Sequence, residues 1–213
     1  MTFDPTLYFI TDSTGVPEER LLRIVDLACA GGASLVQLRE KNRSGKEYLR
    51  LARAVRAVTD RHGVPLIIDD RADIALASGA AGVHVGTEDL PVAEARRLMG
   101  PDRIVGATAK TVERALQAQA EGADYLGVGA IHPTTTKVVT VITEVSTLRE
   151  ICGAVSIPVC AIGGLNAGNC GVLAGTGIAG ICVVSAIMKS EDPEDAARRL
   201  REVSLTLREG REG

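Results

Sequence analysis

The stretch Val36-Gln37-Leu38-Arg39-Glu40-Lys41 is the point from which the fold of this chain can be worked out. In a β-strand, alternate side chains point to opposite faces of the sheet. The two aliphatic residues then share one face, while Gln37, Arg39 and Lys41 share the other. Buried cations without partners cost free energy, so a strand that ends in this way indicates an anion site at its carboxyl end. A solvated edge strand that ends in charges explains the stretch equally well when it is taken alone.

Strand and helix patterns alternate along the whole chain, with Gly, Pro and capping residues between them. Such alternation predicts a parallel sheet, and eight units predict an α/β fold, a (β/α)8 TIM barrel forming a single domain over residues 1–213. The end of the chain, from about residue 204 to 213, is expected to fray. The predicted strands cover 7–11, 35–40, 65–70, 82–86, 103–108, 125–130, 158–162 and 180–185. The predicted helices cover 18–30, 44–62, 73–78, 91–100 and 112–121, with one ending at 152, a short one from 166 and a last one from 193.

The composition suits this fold and argues against some classes of function. Hydrophobic residues make up 46% of the 213 residues but aromatic residues only 2%, so the core must consist of aliphatic side chains, as in buried parallel strands. The net charge of -3 argues against a general nucleic-acid-binding protein. We therefore expect small-molecule substrates, with no nucleic acid and no membrane as partners. The sequence leaves open whether the protein forms a homo-oligomer.

Cysteine usage and the lack of targeting patterns predict the compartment. The five cysteines are odd in number and lack CxxC spacing, which indicates small core residues rather than disulfides or a zinc site. The sequence shows no signal-peptide pattern and no apolar run of membrane-spanning length. These features predict a soluble protein of the reducing cytoplasm.

Polar residues follow most of the predicted strands, at the end of the barrel where this fold holds active sites. Asp70 and Asp89 follow neighbouring strands, and carboxylates with phosphate oxygens and water are the usual ligands of Mg²⁺. Capping of the following helices is the alternative role for both residues. With Arg39, Lys41 and Lys137 nearby, the metal interpretation is favoured, because three cations and a metal would neutralise a polyanion such as pyrophosphate.

Other strand ends indicate a second, separate anionic pocket. Gly163-Gly164 follows the seventh strand and Val184-Ser185 the eighth, where this fold often binds phosphate through backbone N–H groups. Two glycines also make an ordinary turn. Thr134-Thr135-Thr136 offers hydroxyls to a ligand, with a solvated loop as the alternative. His84 is expected to face the barrel interior, as either a structural histidine or a ligand contact.

Together these segments resemble the thiamine phosphate synthase family. The resemblance runs from Tyr8-Phe9-Ile10-Thr11-Asp12 to Ser185-Ala186-Ile187 and therefore covers nearly the whole chain. No single motif would suffice, but their combination is specific. The motifs are Gln37-Leu38-Arg39-Glu40-Lys41, Gly82-Val83-His84-Val85-Gly86 with Glu88-Asp89-Leu90, Pro133-Thr134-Thr135-Thr136-Lys137, Gly163-Gly164 and Val184-Ser185-Ala186-Ile187.

The resemblance implies a transferase that joins 4-amino-5-hydroxymethyl-2-methylpyrimidine diphosphate to a thiazole phosphate, giving thiamine phosphate and pyrophosphate. Pyrophosphate would leave first, and the thiazole nitrogen would attack the resulting pyrimidine carbocation. Lys137, Arg39 and Thr108 would be catalytic, and the cofactor Mg²⁺ would be held by Asp70 and Asp89. The pyrimidine diphosphate contacts would be Gln37, Arg39, Lys41, Asp69, Thr108 and Lys137, and the thiazole phosphate contacts would be Thr134, Thr135, Thr136, Gly164, Val184 and Ser185.

The chain departs from the family pattern at a few positions. Asp69 stands where an asparagine is usual, which exchanges an amide donor for an acceptor. Thr108 keeps the hydroxyl of the usual serine, and Lys110 stands where histidine is more common. Two alternatives stay open: a thiazole tautomerase of the same fold, and a non-catalytic barrel that binds thiamine precursors.

Overall fold

The structure, a computed structural model, describes residues 3–133 and 141–209. Its strands are β1 (Leu7–Ile10), β2 (Leu35–Leu38), β3 (Leu66–Asp69), β4 (Gly82–Val85), β5 (Ile104–Ala109), β6 (Tyr125–Gly129), β7 (Val159–Ile162) and β8 (Gly180–Val183). Each strand pairs in parallel with the next along the chain, and β8 pairs with β1 to close a barrel. The predicted TIM barrel is confirmed.

Helices surround the barrel. They are α1 (Glu18–Ala30), α2 (Gly45–Arg61), α3 (Ala72–Ser78), α4 (Val92–Met99), α5 (Val112–Ala120), α6 (Val145–Ala154), α7 (Ser185–Met188) and α8 (Pro193–Glu209). The start of α2 shows why the sequence begins a helix there: Ser44 accepts a hydrogen bond from the Glu47 backbone N–H, and the Glu47 side chain accepts one in return. None of the helices in the described ranges is long and apolar enough to cross a membrane.

Strand alternation divides the side chains into two layers. Val36 and Leu38 of β2 pack outwards into the apolar layer between barrel and helices. Gln37, between them, is buried inside the barrel, where its amide contacts Tyr8. The opposite faces predicted for these residues are therefore confirmed, and the inward face of β2 leads to the carboxyl end of the barrel.

Three local predictions differ from the structure. The short helix expected from residue 166 is a single 3-10 turn at Cys170–Leu173. The eighth strand ends at Val183, and Ser185 begins α7 instead of ending the strand. The tail from residue 204, expected to fray, is helical as far as Glu209, and the buried Ser204 hydroxyl donates to the Thr6 carbonyl at 2.6 Å.

Candidate active site

A cavity of about 230 Å³ lies at the carboxyl end of the barrel. The described members of both predicted ligand sets line this one cavity, so the two separate pockets expected from the sequence open into a single space. Thr134, Thr135, Thr136 and Lys137 lie outside the described residues. The predicted site residues that line the cavity are Gln37, Arg39, Lys41, Asp69, Asp70, Asp89, Thr108, Gly164, Val184 and Ser185.

Cations and carboxylates from β2 and β3 meet at one side of the cavity. The Lys41 Nζ lies 2.9 Å from the Asp69 Oδ2 and also contacts Asp70. The Arg39 Nε lies 3.9 Å from the same Asp69 oxygen. Burial and the neighbouring Asp70 charge raise the pKa of Asp69 to about 6, against the opposing effect of Lys41 and Arg39. Burial alone would lower the pKa of Lys41, but its two carboxylate partners outweigh burial and raise it.

Asp70 and Asp89 converge from the ends of β3 and β4, and their side chains are within hydrogen-bonding reach of each other. Burial and this contact raise the pKa of Asp89. For Asp70, hydrogen bonds from Lys41 and Asp89 outweigh burial and lower the pKa. Helix capping is the wrong explanation for both residues, because α3 and α4 begin after Arg71 and Pro91 without a side-chain cap.

The backbone at Asp70 has an uncommon conformation. Its φ of 61° lies in the left-handed region, which non-glycine residues seldom adopt. The Asp70 N–H donates to the His84 carbonyl at 2.8 Å, which anchors this turn to β4. The chain therefore uses a strained position to aim a carboxylate at the cavity.

The opposite side of the cavity is formed by close backbone approaches. Gly163 and Gly164 both have positive φ, at 102° and 64°. A Cβ at Gly164 would lie 2.7 Å from the Pro133 carbonyl oxygen, so only glycine fits there without a shift. Val184 and Ser185 line the same side, where β8 passes into α7.

The predicted inward position of His84 is confirmed. One ring nitrogen, Nδ1, lies 3.1 Å from the Tyr125 hydroxyl, and the other, Nε2, lies 3.0 Å from the Thr108 Oγ1. Its ring also lies against that of Tyr125, with centroids 5.6 Å apart. His84 thus lines the cavity and is hydrogen-bonded within the barrel at the same time.

Comparison with known proteins agrees with this arrangement. Residues 7–187 match the family described as thiamine monophosphate synthase. The chain belongs to the thiamine monophosphate synthase family. It is 53% identical over 188 residues to thiamine-phosphate synthase 2 of Streptococcus pneumoniae, covering 88% of this chain and 90% of that protein. It is 48% identical over 197 residues to thiamine-phosphate synthase of Clostridium tetani, covering 92% and 94% of the two chains.

A solved structure of the family has the same architecture. Thiamine phosphate pyrophosphorylase from Pyrococcus furiosus superposes with a TM-score of 0.87 at 38% identity, covering 96% of this chain and 97% of that one. A 3-hexulose-6-phosphate synthase superposes with a TM-score of 0.67 at 17% identity, which is a likeness of fold alone. As a member of the thiamine monophosphate synthase family, the chain is an enzyme of the transferase class.

Sequence reasoning missed some residues of this family member's cavity. Tyr8 lines it, and Tyr125 supports it from below through hydrogen bonds to Tyr8 and His84. A usable signal was present, because the chain has only three tyrosines and two of them occupy inward positions of predicted strands. Lys110, which was left without a role, also lines the cavity.

Proposed function

We propose that this chain condenses 4-amino-5-hydroxymethyl-2-methylpyrimidine diphosphate with a thiazole phosphate, giving thiamine phosphate and pyrophosphate in an Mg²⁺-dependent reaction. Membership of the thiamine monophosphate synthase family supports the overall activity. The described members of both predicted ligand sets line one cavity, which supports the proposed substrates, since the two reacting molecules must meet.

The charge balance of the cavity is the observation that carries the metal requirement. Among the described lining residues, three cations face three carboxylates: Arg39, Lys41 and Lys110 against Asp69, Asp70 and Asp89. These formal charges cancel, so the described walls alone offer little net attraction to a diphosphate. A divalent cation would make the same walls positive and let them hold a polyanion.

Asp70 and Asp89 fit such an ion. Their carboxylates come within hydrogen-bonding reach, an arrangement in which two negative charges repel each other unless a proton or a cation lies between them. The described residues contain no group of three or more His, Cys, Asp or Glu side chains able to hold a metal. Two carboxylates completed by diphosphate oxygens and water match the coordination that Mg²⁺ usually has in nucleotide and diphosphate enzymes.

The bond changes balance without a protein base. The bond between the pyrimidine CH₂ and the diphosphate oxygen breaks, and its electron pair leaves with pyrophosphate. The aminopyrimidine ring delocalises the positive charge that remains on the CH₂. The lone pair of the thiazole nitrogen then forms the new C–N bond, and the product nitrogen carries the positive charge. Bound Mg²⁺ would act as a Lewis acid that neutralises negative charge on the diphosphate.

The chain's own residues would stabilise the departing charge and align the two substrates. Arg39 and Lys41, which line the cavity, would contact the diphosphate, and Lys137 is proposed to join them as a catalytic residue together with Arg39 and Thr108. The pyrimidine would be held by Gln37, Asp69 and Thr108, and water would be excluded by both bound substrates. The thiazole phosphate would contact Thr134, Thr135, Thr136, Gly164, Val184 and Ser185.

We also propose that the reaction takes place in the cytoplasm. All five cysteines lie in the described part of the chain and none forms a disulfide. Thiols that stay reduced are typical of proteins from reducing compartments.

The test is to incubate the purified chain with both substrates, in Mg²⁺ and in EDTA, and to quantify thiamine phosphate and pyrophosphate. Equal amounts of both products in Mg²⁺ and almost none in EDTA are expected. Asp89→Asn should raise the Mg²⁺ concentration needed for half-maximal rate by about 10–100-fold, a typical cost of altering a metal site. Glu88→Gln, at the exposed neighbouring position, is the matched control and should keep the wild-type metal response. No product from the wild-type chain would overturn the proposal.

A further inference from the structure

Five side chains from five different strands form a hydrogen-bonded chain across the barrel interior, and all but Tyr125 line the cavity. In order they are Gln37 of β2, Tyr8 of β1, Tyr125 of β6, His84 of β4 and Thr108 of β5. The Gln37 Nε2 donates to the Tyr8 hydroxyl at 2.7 Å, and the two tyrosine hydroxyls are 2.7 Å apart. The Tyr125 hydroxyl lies 3.1 Å from the His84 Nδ1, and the His84 Nε2 lies 3.0 Å from the Thr108 Oγ1. Both ends of this chain, Gln37 and Thr108, line the cavity.

The packing of the barrel accommodates these five hydrogen-bonded side chains. Gln37, Tyr8 and Tyr125 are 2%, 1% and 0% exposed, so their polar atoms depend on one another for hydrogen bonds. Gly106, opposite Tyr125 in the sheet, leaves the space for its ring, because a Cβ there would lie 2.1 Å from a ring carbon. Burial raises the pKa of both tyrosines well above the ordinary value, so both hydroxyls keep their protons at any physiological pH.

With the Gln37 amide nitrogen toward Tyr8 and a neutral His84, the hydrogen bonds run in one direction along this set of side chains. Tyr8 accepts from the Gln37 amide, so its single proton is available for Tyr125. Tyr125 then has its own proton for the His84 Nδ1, which must be unprotonated to accept it. A neutral imidazole with an unprotonated Nδ1 carries its proton on Nε2, which donates to Thr108. The Thr108 hydroxyl proton is thereby left for a ligand in the cavity.

If the Gln37 side-chain nitrogen and oxygen exchanged places, the direction of every hydrogen bond between these five side chains would be reversed. With its carbonyl oxygen toward Tyr8, each tyrosine would donate in the opposite direction and His84 would carry its proton on Nδ1. Thr108 would then donate to His84 and could only accept from a ligand. The two ends are coupled in this way although β2 and β5 are not neighbours in the barrel.

We propose that this chain is a directional relay that sets the pyrimidine specificity of the enzyme, with Tyr8, Tyr125 and His84 as positioning residues. The relay orients Gln37 with its Oε1 away from Tyr8, as an acceptor, and makes Thr108 a donor. A 4-aminopyrimidine matches both ends, since its amino group donates and its ring nitrogens accept. A 4-oxo pyrimidine presents a carbonyl in place of the amino group, so it would require Gln37 to turn and the whole relay to reverse. This inference rests on the proposed function for the identity of the substrate.

The matched variants come from the tyrosines. Tyr8→Phe and Tyr125→Phe each remove one hydroxyl from the relay and keep the ring. Tyr48→Phe is the control, because Tyr48 is equally buried but its hydroxyl donates to the Leu38 and Asp69 carbonyls outside the relay. Circular dichroism and thermal unfolding confirm that each variant is folded, and Tyr125→Phe replaces Tyr8→Phe if the latter fails to fold.

The first measurement needs no substrate. The ¹⁵N shifts of the imidazole nitrogens report which one carries the proton, and loss of the signals in His84→Gln assigns them among the three histidines. We expect His84 as the Nε2–H tautomer in the wild-type protein and in Tyr48→Phe, and a mixture of tautomers in the two relay variants. An Nδ1–H tautomer in the wild-type protein, or relay variants that match the control, would overturn the relay.

The second measurement is the ratio of binding constants, in Mg²⁺, for the pyrimidine diphosphate and its 4-oxo analogue. Sites that bind through hydrogen bonds discriminate strongly against analogues that mismatch them, by up to about 10⁴–10⁵. We expect Tyr8→Phe to reduce this ratio by about 10-fold or more and Tyr48→Phe to leave it unchanged. An unchanged ratio in a relay variant that still forms thiamine phosphate would overturn the inference while the proposed function stands. Absence of thiamine phosphate from the wild-type chain would instead refute the proposed function.

Discussion

The Nζ of Lys41 lies 2.9 Å from the Oδ2 of Asp69, while the same ammonium group contacts Asp70. Lys41 is therefore shared between two adjacent carboxylates before any substrate is bound. A diphosphate that enters the cavity has to compete with these carboxylates for the cation. Under the proposed function, the position of Asp69 would set part of the free-energy cost of binding the diphosphate.

Replacing that carboxylate should change diphosphate binding in a defined direction. In Asp69→Asn the described walls of the cavity carry one more positive than negative charge, and Lys41 keeps only Asp70 as its partner. We expect pyrophosphate to bind this variant about 10-fold more tightly than wild type in EDTA, equivalent to about 1.4 kcal/mol. Isothermal titration calorimetry with pyrophosphate measures the change.

The control for this variant is Asp60→Asn, which removes one carboxylate from the exposed surface of α2. It lowers the net negative charge of the protein by the same amount but leaves the cavity unchanged. Pyrophosphate affinity like that of wild type is expected for it. Equal gains in both variants would mean that overall charge, and not the contact between Lys41 and Asp69, controls binding.

The barrel and the strand positions of the site could be read from the sequence because both depend on short-range patterns. The inward direction of Gln37 and His84 follows from the two-residue period of a strand, and the start of α2 follows from Ser44 and Glu47. The exact bounds of α1, Glu18–Ala30, follow in the same way from acidic residues at its start and glycines after its end.

Contacts between distant parts of the chain could not be read in this way. Tyr8 and Tyr125 are separated by 117 positions and meet only because the barrel closes in this register. Ser204 looked like part of a polar tail, yet its hydroxyl bonds to Thr6, 198 positions away. The sharing of Lys41 between Asp69 and Asp70 likewise depends on side-chain directions that the local pattern leaves undetermined.

A buried thiol should make the stability of the protein depend on alkaline pH. Burial, followed by the nearby Asp26 charge, raises the pKa of Cys29 from 9.0 to about 12. The unfolded chain therefore loses this proton first as pH rises. The stabilisation from the neutral buried thiol is complete below about pH 9 and is lost progressively between about pH 9 and pH 12.

Cys29→Ala isolates this contribution. The wild-type protein should be more stable than the variant near pH 8, and the difference should shrink by about 2 kcal/mol near pH 10.5, since each unit above the unfolded pKa costs about 1.36 kcal/mol. Urea unfolding of both proteins at the two pH values gives the difference. If the difference in unfolding free energy between the two proteins is the same at both pH values, the Cys29 thiol has the same pKa in the folded and unfolded chains.

Lys110 carries a positive charge and forms no ion pair with a carboxylate in the described part of the chain. Its side chain is exposed and lines the cavity on the side of β5, across the barrel from β1. Lys110→Ala should raise the KM for the pyrimidine diphosphate about 10-fold, and the effect should decline at high ionic strength because salt screens an exposed charge. Steady-state kinetics at low and high salt measure both. Lys46→Ala on the outer helix α2 is the matched loss of an exposed lysine, and a similar change in that variant would contradict a local role for Lys110.

Gly164 and Gly63 have almost the same backbone conformation, so comparing alanine substitutions at the two positions distinguishes a steric clash from backbone strain. Gly164 has a φ of 64° and faces the Pro133 carbonyl, whereas Gly63 has a φ of 65° and nothing within 4 Å of the position that a Cβ would take. Alanine at Gly63 should cost about 1–2 kcal/mol of stability, because the left-handed region is unfavourable for side chains. Alanine at Gly164 should cost more, because its Cβ would also clash with the Pro133 carbonyl oxygen. Only Gly164→Ala should push the backbone that lines the cavity and raise the KM for the thiazole phosphate, by about 10-fold or more. Thermal unfolding and steady-state kinetics on both variants test this, and a thiazole phosphate KM that is equal in the two would show that the close approach at Gly164 is not needed for binding.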